Sequence, residues 1–378
     1  MPHYDVIVLG CGGVGSAALQ HAAQRGAKVL GFDRFSPPHN SGSSHGQTRI
    51  IRLAYFEKPD YVPALRRAYQ LWGDLEAATQ RRLYHEVGLL EFGPADGVLI
   101  PGVLRAAQEH SLDVEMLDPA QIHEHFPGFF VPPHFTAVFE ARAGYLLVEE
   151  CVSAQIEMAR RQGARLETNT AVRSWKPTAT GVEVVADSGV YTADRLIVSA
   201  GAWAGPQLAE LGVKLSPVRK AVFWYRPEHD VYRSGSGGAG FIVETPAGEF
   251  YGLPDLAPHG LKVAEHSGGK PLADPLHVDR SVHLDDQQRV ERFTAEYLPA
   301  LGKRLTRHET CIYTLSPDSH FLVDRLPDAP QVSFAAGLSG HGFKFAPVLG
   351  EALVELALDG KTSLSWDFLS VNRFAPPE

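Results

Sequence analysis

Cysteine is scarce in this chain of 378 residues: Cys11, Cys151 and Cys311 are the only three, and they lie far apart. No Cys-x-x-Cys pair and no Cys/His cluster has the spacing of a metal site, so neither a disulfide scaffold nor a bound metal is expected. An odd, sparse count fits a reducing compartment. Basic runs are lacking too. The formal charge is −9, and the absence of a Lys/Arg block excludes a nucleic-acid surface, although a local basic pocket for an anionic ligand remains open. No apolar stretch reaches the roughly 18 residues that span a bilayer. No positively charged segment precedes an apolar run at the start, where a strand begins by about residue 4. A cytoplasmic protein without a membrane partner or a secretory leader is expected. Internal repeats and low-complexity tracts are absent. What is present is ordinary globular composition, 44% hydrophobic and 21% charged. At about 100–200 residues per domain, the length implies two domains.

Tyr4 to Leu9 is a nearly continuous apolar run, the pattern of a strand buried on both faces. Gly10 to Gly15 is a turn, residues 14–25 read as a helix with Gly26 as its cap, and Lys28 to Phe32 is a second strand ending at Asp33. This opens a doubly wound parallel sheet. Residues 36–48 (SPPHNSGSSHGQT) have no apolar periodicity and read as a functional loop. An amphipathic helix is expected over 61–80 and another over Glu149 to Gln162. Strands are expected at Arg165 to Thr168, Gly181 to Ala186 and Arg195 to Ser199, the last running into Ala200-Gly201-Ala202-Trp203. From 219 to 266 the texture turns β-rich, with strand-like runs between Gly/Pro turns, which marks a second domain built on a sheet. Adjacent Phe223 and Trp224 there point to opposite faces and read as sheet core. Val332 to Leu338 returns to strand and Gly-rich loop, followed by a helix at about 346–358.

Gly10-Cys11-Gly12-Gly13-Val14-Gly15 satisfies G-x-G-x-x-G between a strand and a helix. The first glycine permits the tight turn, the second lets backbone approach a pyrophosphate, and the third allows close helix–strand packing. The helix N-terminus stabilises the anion. Asp33, about 20 residues on, is placed to bind a ribose hydroxyl. NAD and FAD both use this fingerprint; the turn after the Arg195 strand and the Gly-rich loop near the end favour FAD. A bare nucleotide-binding module without redox chemistry is the plainest alternative.

Three further stretches carry a family resemblance. Residues 43–55 (SSHGQTRIIRLAY) with Tyr61-Val62-Pro63, Cys311-Ile312-Tyr313 with Ser316-Pro317-Asp318, and Gly340-His341-Gly342-Phe343-Lys344-Phe345 resemble, in order, the motifs of the monomeric sarcosine oxidase and N-methyl-L-tryptophan oxidase family. The likeness runs from residue 4 to about 374. Val218-Arg219-Lys220, Trp224-Tyr225 and Gly337-Leu338-Ser339-Gly340 look closer to the N-methyltryptophan branch. The resemblance implies an α/β fold: a Rossmann-like FAD-binding domain (1–85, 145–216 and 318–378) and an α+β substrate domain on an antiparallel-rich sheet (86–144 and 217–317). It implies a monomeric flavin oxidase of N-methyl amino acids. Such an enzyme takes a small amino-acid substrate with a free carboxylate, reduces O2 to hydrogen peroxide and releases formaldehyde.

The resemblance also implies roles. Cys311 tethers FAD covalently; by itself it reads as a buried structural cysteine. Ser43, His45, Thr48, Arg49, Val172, Ala200, Gly201, Gly340, Gly342 and Lys344 join the turn residues Gly10, Gly12, Gly13, Val14, Gly15 and Asp33 as cofactor contacts. Arg49 stacks near the flavin, where a planar cation suits an aromatic ring; the plainer reading is a loop arginine. Arg52 and Lys344 clamp the substrate carboxylate, with a structural ion pair as the alternative for Arg52. Lys262 lies on a strand with Leu261 and Val263 facing the other way, and its match in the family activates O2, a role suited to a cation beside a developing superoxide. Without the resemblance it reads as a solvated surface lysine. His266, Tyr251, His341 and His45 match polar positions around the site, where histidine can tune an amine that must be neutral to lose hydride; each is equally readable as a satisfied structural residue. Two other enzyme readings stay open: oxidation of a cyclic secondary amino acid such as pipecolate, which releases no formaldehyde, and a dehydrogenase passing electrons to a quinone.

Overall fold

In the computed structural model, which describes residues 1–374, the opening apolar run forms the strand His3–Leu9 inside an eight-stranded sheet. It pairs in parallel with Val29–Phe32 on one side and Gly189–Val198 on the other. Parallel strands are covered on both faces, which is why Val6, Ile7 and Val8 can be apolar in succession and all fully buried. The helix Gly13–Gln24 packs on this sheet against the helix Ala346–Leu358. Their approach depends on small residues: a Cβ on Gly350 would stand 2.5 Å from that of Ala17. Gly26, one residue past the first helix's cap, takes φ +80° and accepts no helical continuation.

The strand expected at Arg195 to Ser199 begins earlier, at Gly189. Its first half pairs antiparallel with Val182–Ala186 and is partly exposed, so only its buried second half, which lies between His3–Leu9 and Ala329–Ala336, is continuously apolar. All eight strands of this sheet come from residues 3–32, 165–198 and 322–336.

The second sheet has nine strands drawn from residues 89–140 and 216–315, antiparallel except where Gly240–Thr245 runs parallel to Leu89–Pro94. Alternation sorts its residues onto two faces. Phe223, Tyr225, Phe241, Phe250, Leu261 and Val263 make an aromatic-rich core under the helix Leu284–Tyr297, with Phe250 and Phe293 stacked at 4.3 Å. The other face carries Lys220, Trp224, Tyr251, Lys262, Cys311 and Tyr313, in register across four strands. Phe223 and Trp224 are thus both core residues, on opposite faces, as the sequence implies.

A third, three-stranded sheet was not legible in the sequence. Thr48–Ile51, Tyr84–Glu86 and Gly144–Leu147 pair antiparallel, joining three stretches of chain that lie far apart. It makes the end of the glycine/serine-rich loop a strand. Among the described residues no helix is long and apolar enough to cross a membrane. Of the segment 318–378, residues 375–378 lie outside the described part.

Candidate functional site

A cleft of about 1430 Å3 opens where the two large sheets meet. Gly10, Gly12, Gly13, Val14, Asp33, Ser43, Arg49, Val172, Ala200, Gly201, Cys311, Gly340 and Gly342 all line it. The glycines do what their spacing implies. Gly10 has φ +86°. A Cβ on Gly15 would come 1.8 Å from the Gly10 carbonyl oxygen, whereas one on Gly12 would meet only Ser44 Oγ at 3.6 Å. The turn is therefore closed behind Gly15, which does not reach the cleft, and open in front of Gly12. With no side chain at the helix cap, the first-turn amides are left for an anion, except that of Gly13, which donates to Ser44 Oγ at 3.0 Å. Asp33 is partly engaged, accepting from the Cys11 and Phe35 amides at 2.8 Å each. At the same end, Phe35 lies against His39 and Trp203, and the Trp203 Nε1 is buried without a partner. An extended dinucleotide fits this cleft: it supplies an acceptor for that orphaned N–H and an anion for the turn.

Cys311 sits on the strand Leu305–Leu315, directly across from Lys220. Its Sγ is 3.3 Å from Arg49 Nη2, which also donates to the Ser43 carbonyl at 2.8 Å. Burial pushes the thiol pKa up, but Arg49, His45 and Lys262 outweigh it and bring it to about 6. A buried thiol lowered in this way is better suited to act as a nucleophile than one raised by burial. Cys11 and Cys151 go the other way, raised chiefly by burial. His45 lies behind the loop, its Nδ1 2.8 Å from Glu309 Oε2. Burial disfavours its charge, yet Cys311 and Glu309 raise it to about 9. Lys262 is buried, its Nζ donating to the carbonyls of Gly46 (2.8 Å) and Thr48 (2.6 Å), 5.4 Å from the Trp224 ring. It lines neither cavity. Burial, then Arg49, lowers its pKa well below the usual value, while Cys311, Glu149 and Glu309 favour its charge.

A smaller cavity of about 570 Å3 adjoins the cleft, and Arg49, Tyr313, Gly340 and Phe343 line both. Arg52, Tyr251, His266, His341 and Lys344 converge here. Lys344 faces this cavity and not the cleft; Thr48 reaches neither. Arg52 is already engaged: it donates to Glu57 at 2.6 Å and to the Ala54 carbonyl at 2.8 Å, and it rests on the Tyr55 and Phe56 rings. The ion pair read as its plainer alternative is therefore present inside the cavity. Among the described residues, Lys344 Nζ donates only to the His341 carbonyl, at 2.8 Å, which makes it the freer cation for a carboxylate. Burial, then Arg52, lowers it to about 7. Burial keeps His266 and His341 neutral, at about 3 and about 4.

Several residues here carried no assignment from sequence. Glu309 and Tyr313 lie two positions either side of Cys311, and Glu249 two before Tyr251, so strand alternation could have found them. Glu57, five residues past Arg52 in irregular chain, offered no such signal. Lys220 holds the carbonyls of His266 (2.8 Å), Ser267 (2.5 Å) and Gly268 (3.2 Å).

A family model described as FAD dependent oxidoreductase matches residues 5–356. The chain is similar to a monomeric sarcosine oxidase of Bacillus sp. (strain B-0618), at 40% identity over all of this chain and 97% of that protein. It is similar to an N-methyl-L-tryptophan oxidase of Yersinia pestis (strain Pestoides F), at 38% identity over 98% of this chain and 99% of the other. Among solved structures it resembles NikD, an unusual amino acid oxidase essential for nikkomycin biosynthesis, in an open form, with TM-score 0.86, 26% identity and 98% of each chain covered.

Proposed function

The chain belongs to the FAD-dependent oxidoreductase family, and from that premise we propose that it oxidises N-methyl amino acids of the sarcosine or N-methyltryptophan type. The products are the demethylated amino acid, formaldehyde and hydrogen peroxide, with O2 as electron acceptor and FAD bound covalently through Cys311. The observation that carries this reading is the Cys311 thiol, held against Arg49 where the dinucleotide cleft meets a cavity with a carboxylate-binding cation. When bound, FAD would supply the acceptor for the hydride, a proton with two electrons, lost by the substrate's N-methyl group.

The protein's part is binding and positioning. The segments 1–85, 145–216 and 318–378 hold FAD through the Gly10–Gly15 turn, Asp33, Val172, Ala200 and Gly201. The segments 86–144 and 217–317 make the substrate domain and bring Tyr251 and His266 to the smaller cavity, where Arg52, His341 and Lys344 of the first set meet them. Lys344 takes the carboxylate, with Arg52 as a second cation once it exchanges Glu57 for that ligand; this fixes the N-methyl carbon towards the junction with the cleft. His266, His341 and Tyr251 bring no positive charge beside the amine, which must be neutral to react. Arg49 holds the cofactor loop, and Lys262 provides positive charge for the reduction of O2. Cys311, with His45 and Arg49 beside it, is the residue that would hold the cofactor covalently. The enzyme works as a monomer in the cytoplasm.

Denaturing precipitation of the purified protein, with flavin absorbance read in pellet and supernatant, tests the tether. Flavin is expected in the wild-type pellet and in the Cys311→Ala supernatant; flavin released from both makes Cys311 merely structural. Peroxide and formaldehyde from sarcosine or N-methyl-L-tryptophan test the reaction, and oxidation without formaldehyde would move the reading to a cyclic amine.

A further inference from the structure

One carboxylate in the smaller cavity has no partner in the fold. Glu249 lines the cavity with Arg52, Glu57, Tyr251 and His266, but its carboxylate enters no hydrogen bond or ion pair among the described residues. Most neighbouring acids are engaged, and Glu91, whose oxygens accept no hydrogen bond, has Arg52 Nε at 4.0 Å. Glu57 takes Arg52, Glu140 takes the Leu53 and Ala54 amides, Glu244 takes those of Val98 and Leu99, and Glu265 takes Arg289. Glu249 and Tyr251 project from one face of the strand Gly248–Leu256. Tyr251 is at the inner end, in the electrostatic reach of Arg49 and Cys311. Glu249 lies two residues, about 6.6 Å, further along the strand, where its charged neighbours are instead Glu57, Glu244, Arg52 and Lys220. Burial, then Glu57 and Glu244, raises it to about 6, with Arg52 and Lys220 opposing, so it is a half-buried carboxylate with no direct ion pair among the described residues. Such a group is costly to desolvate unless a cation meets it.

We propose that Glu249 receives a positively charged group at the end of the substrate's side chain, so that the preferred substrates are N-methyl amino acids of the lysine, ornithine or arginine type. The inference rests on the function proposed above. With the reacting methyl at the junction by Arg49 and Tyr313 and the carboxylate on Lys344, the side chain runs outward along the strand. Phe56 and Ile242 wall the same cavity and suit its methylenes.

The test compares Nα-methyl-L-lysine with N-methyl-L-norleucine, which has an aliphatic chain and no charge, as kcat/KM in the wild type, Glu249→Gln and Glu249→Asp. A parallel calorimetric titration of the anaerobic holoenzyme uses L-lysine and L-norleucine. The expected result is a wild-type preference for the lysine compound of about tenfold or more, most of it lost in Glu249→Gln and partly kept in Glu249→Asp. A wild type that prefers norleucine, or a ratio identical in all three proteins, overturns the inference. If N-methylnorleucine and sarcosine both reduce the flavin without any preference for the cation, only the role of Glu249 falls. If no N-methyl amino acid reduces the flavin, the proposed reaction falls and this inference with it.

Discussion

The residues that separate chemistry from packing in this site are those whose charge the fold changes. Cys311 and Cys151 are both buried, yet one titrates near 6 and the other well above the usual thiol value, because only Cys311 has Arg49 and His45 beside it. Lys262 makes the same point for cations. Replacing it by Met removes the donor to the Gly46 and Thr48 carbonyls and the charge proposed for O2 reduction. Reduction of the flavin by substrate, followed anaerobically in a stopped-flow instrument, is expected to change little; reoxidation by O2 is expected to slow by about 100-fold or more. Equal effects on both half-reactions would assign Lys262 to loop support instead. Lys344 carries a pH dependence. Its folded pKa is lowered to about 7, chiefly by burial and then by Arg52, and a bound carboxylate favours the protonated form. Affinity is therefore highest below about 7 and falls as pH rises through it, by up to about tenfold per unit. An aliphatic carboxylate without an amine isolates this effect from amine ionisation. Its Kd, read from the flavin spectrum between about pH 6 and pH 9, is expected to rise with pH in the wild type and to be flat in Lys344→Met.

At the scale of elements, what could be read from sequence is what rests on local geometry. The Gly10–Gly15 turn is legible because each glycine answers a neighbour within the same strand–turn–helix unit, and the structure separates their roles. Gly15→Ala drives a methyl into the Gly10 carbonyl and the Ser199 hydroxyl, where neither neighbour can yield easily. A loss of about 1–3 kcal/mol in urea unfolding is expected. Gly12→Ala meets only Ser44 Oγ, so in flavin-free protein its stability stays near that of its flavin-free parent, while flavin content per protein as isolated, from the visible-to-ultraviolet absorbance ratio, drops. If both variants lose stability alike, the front of the turn is as tightly packed as the back. Alternation likewise placed Lys262 away from Leu261 and Val263. The Arg52–Glu57 pair and the three-stranded sheet were not legible, for a shared reason: their partners lie on irregular chain or on strands of three or four residues from distant segments. No periodicity links them. Gly189–Val198 was legible only over its buried half, since its exposed, antiparallel half lacks the apolar run.

At the scale of the whole molecule, the site exists only because two sheets of different construction face each other. The parallel-rich sheet contributes strand ends and the helix N-terminus to one wall of the cleft; the antiparallel-rich sheet contributes Cys311 and Tyr313 to the other. Neither set alone encloses a dinucleotide, and the small sheet of Thr48–Ile51, Tyr84–Glu86 and Gly144–Leu147 ties together the segments that feed both. A ligand filling the cleft should therefore stabilise both halves at once. Cys311→Ala protein stripped of FAD permits the measurement, because the proposed tether cannot form there. With FAD at about 1,000 times its Kd, mass action adds about 4 kcal/mol to the state that binds it. If that state requires both walls, the calorimetric trace shows one transition moving upward as FAD is added. Two transitions, with only the lower or only the upper one shifting, would mean that one sheet makes the cleft without the other and that the opposing wall adds chemistry but no binding. If the proposed tether forms, the wild type is expected to behave like the saturated variant at any added FAD concentration.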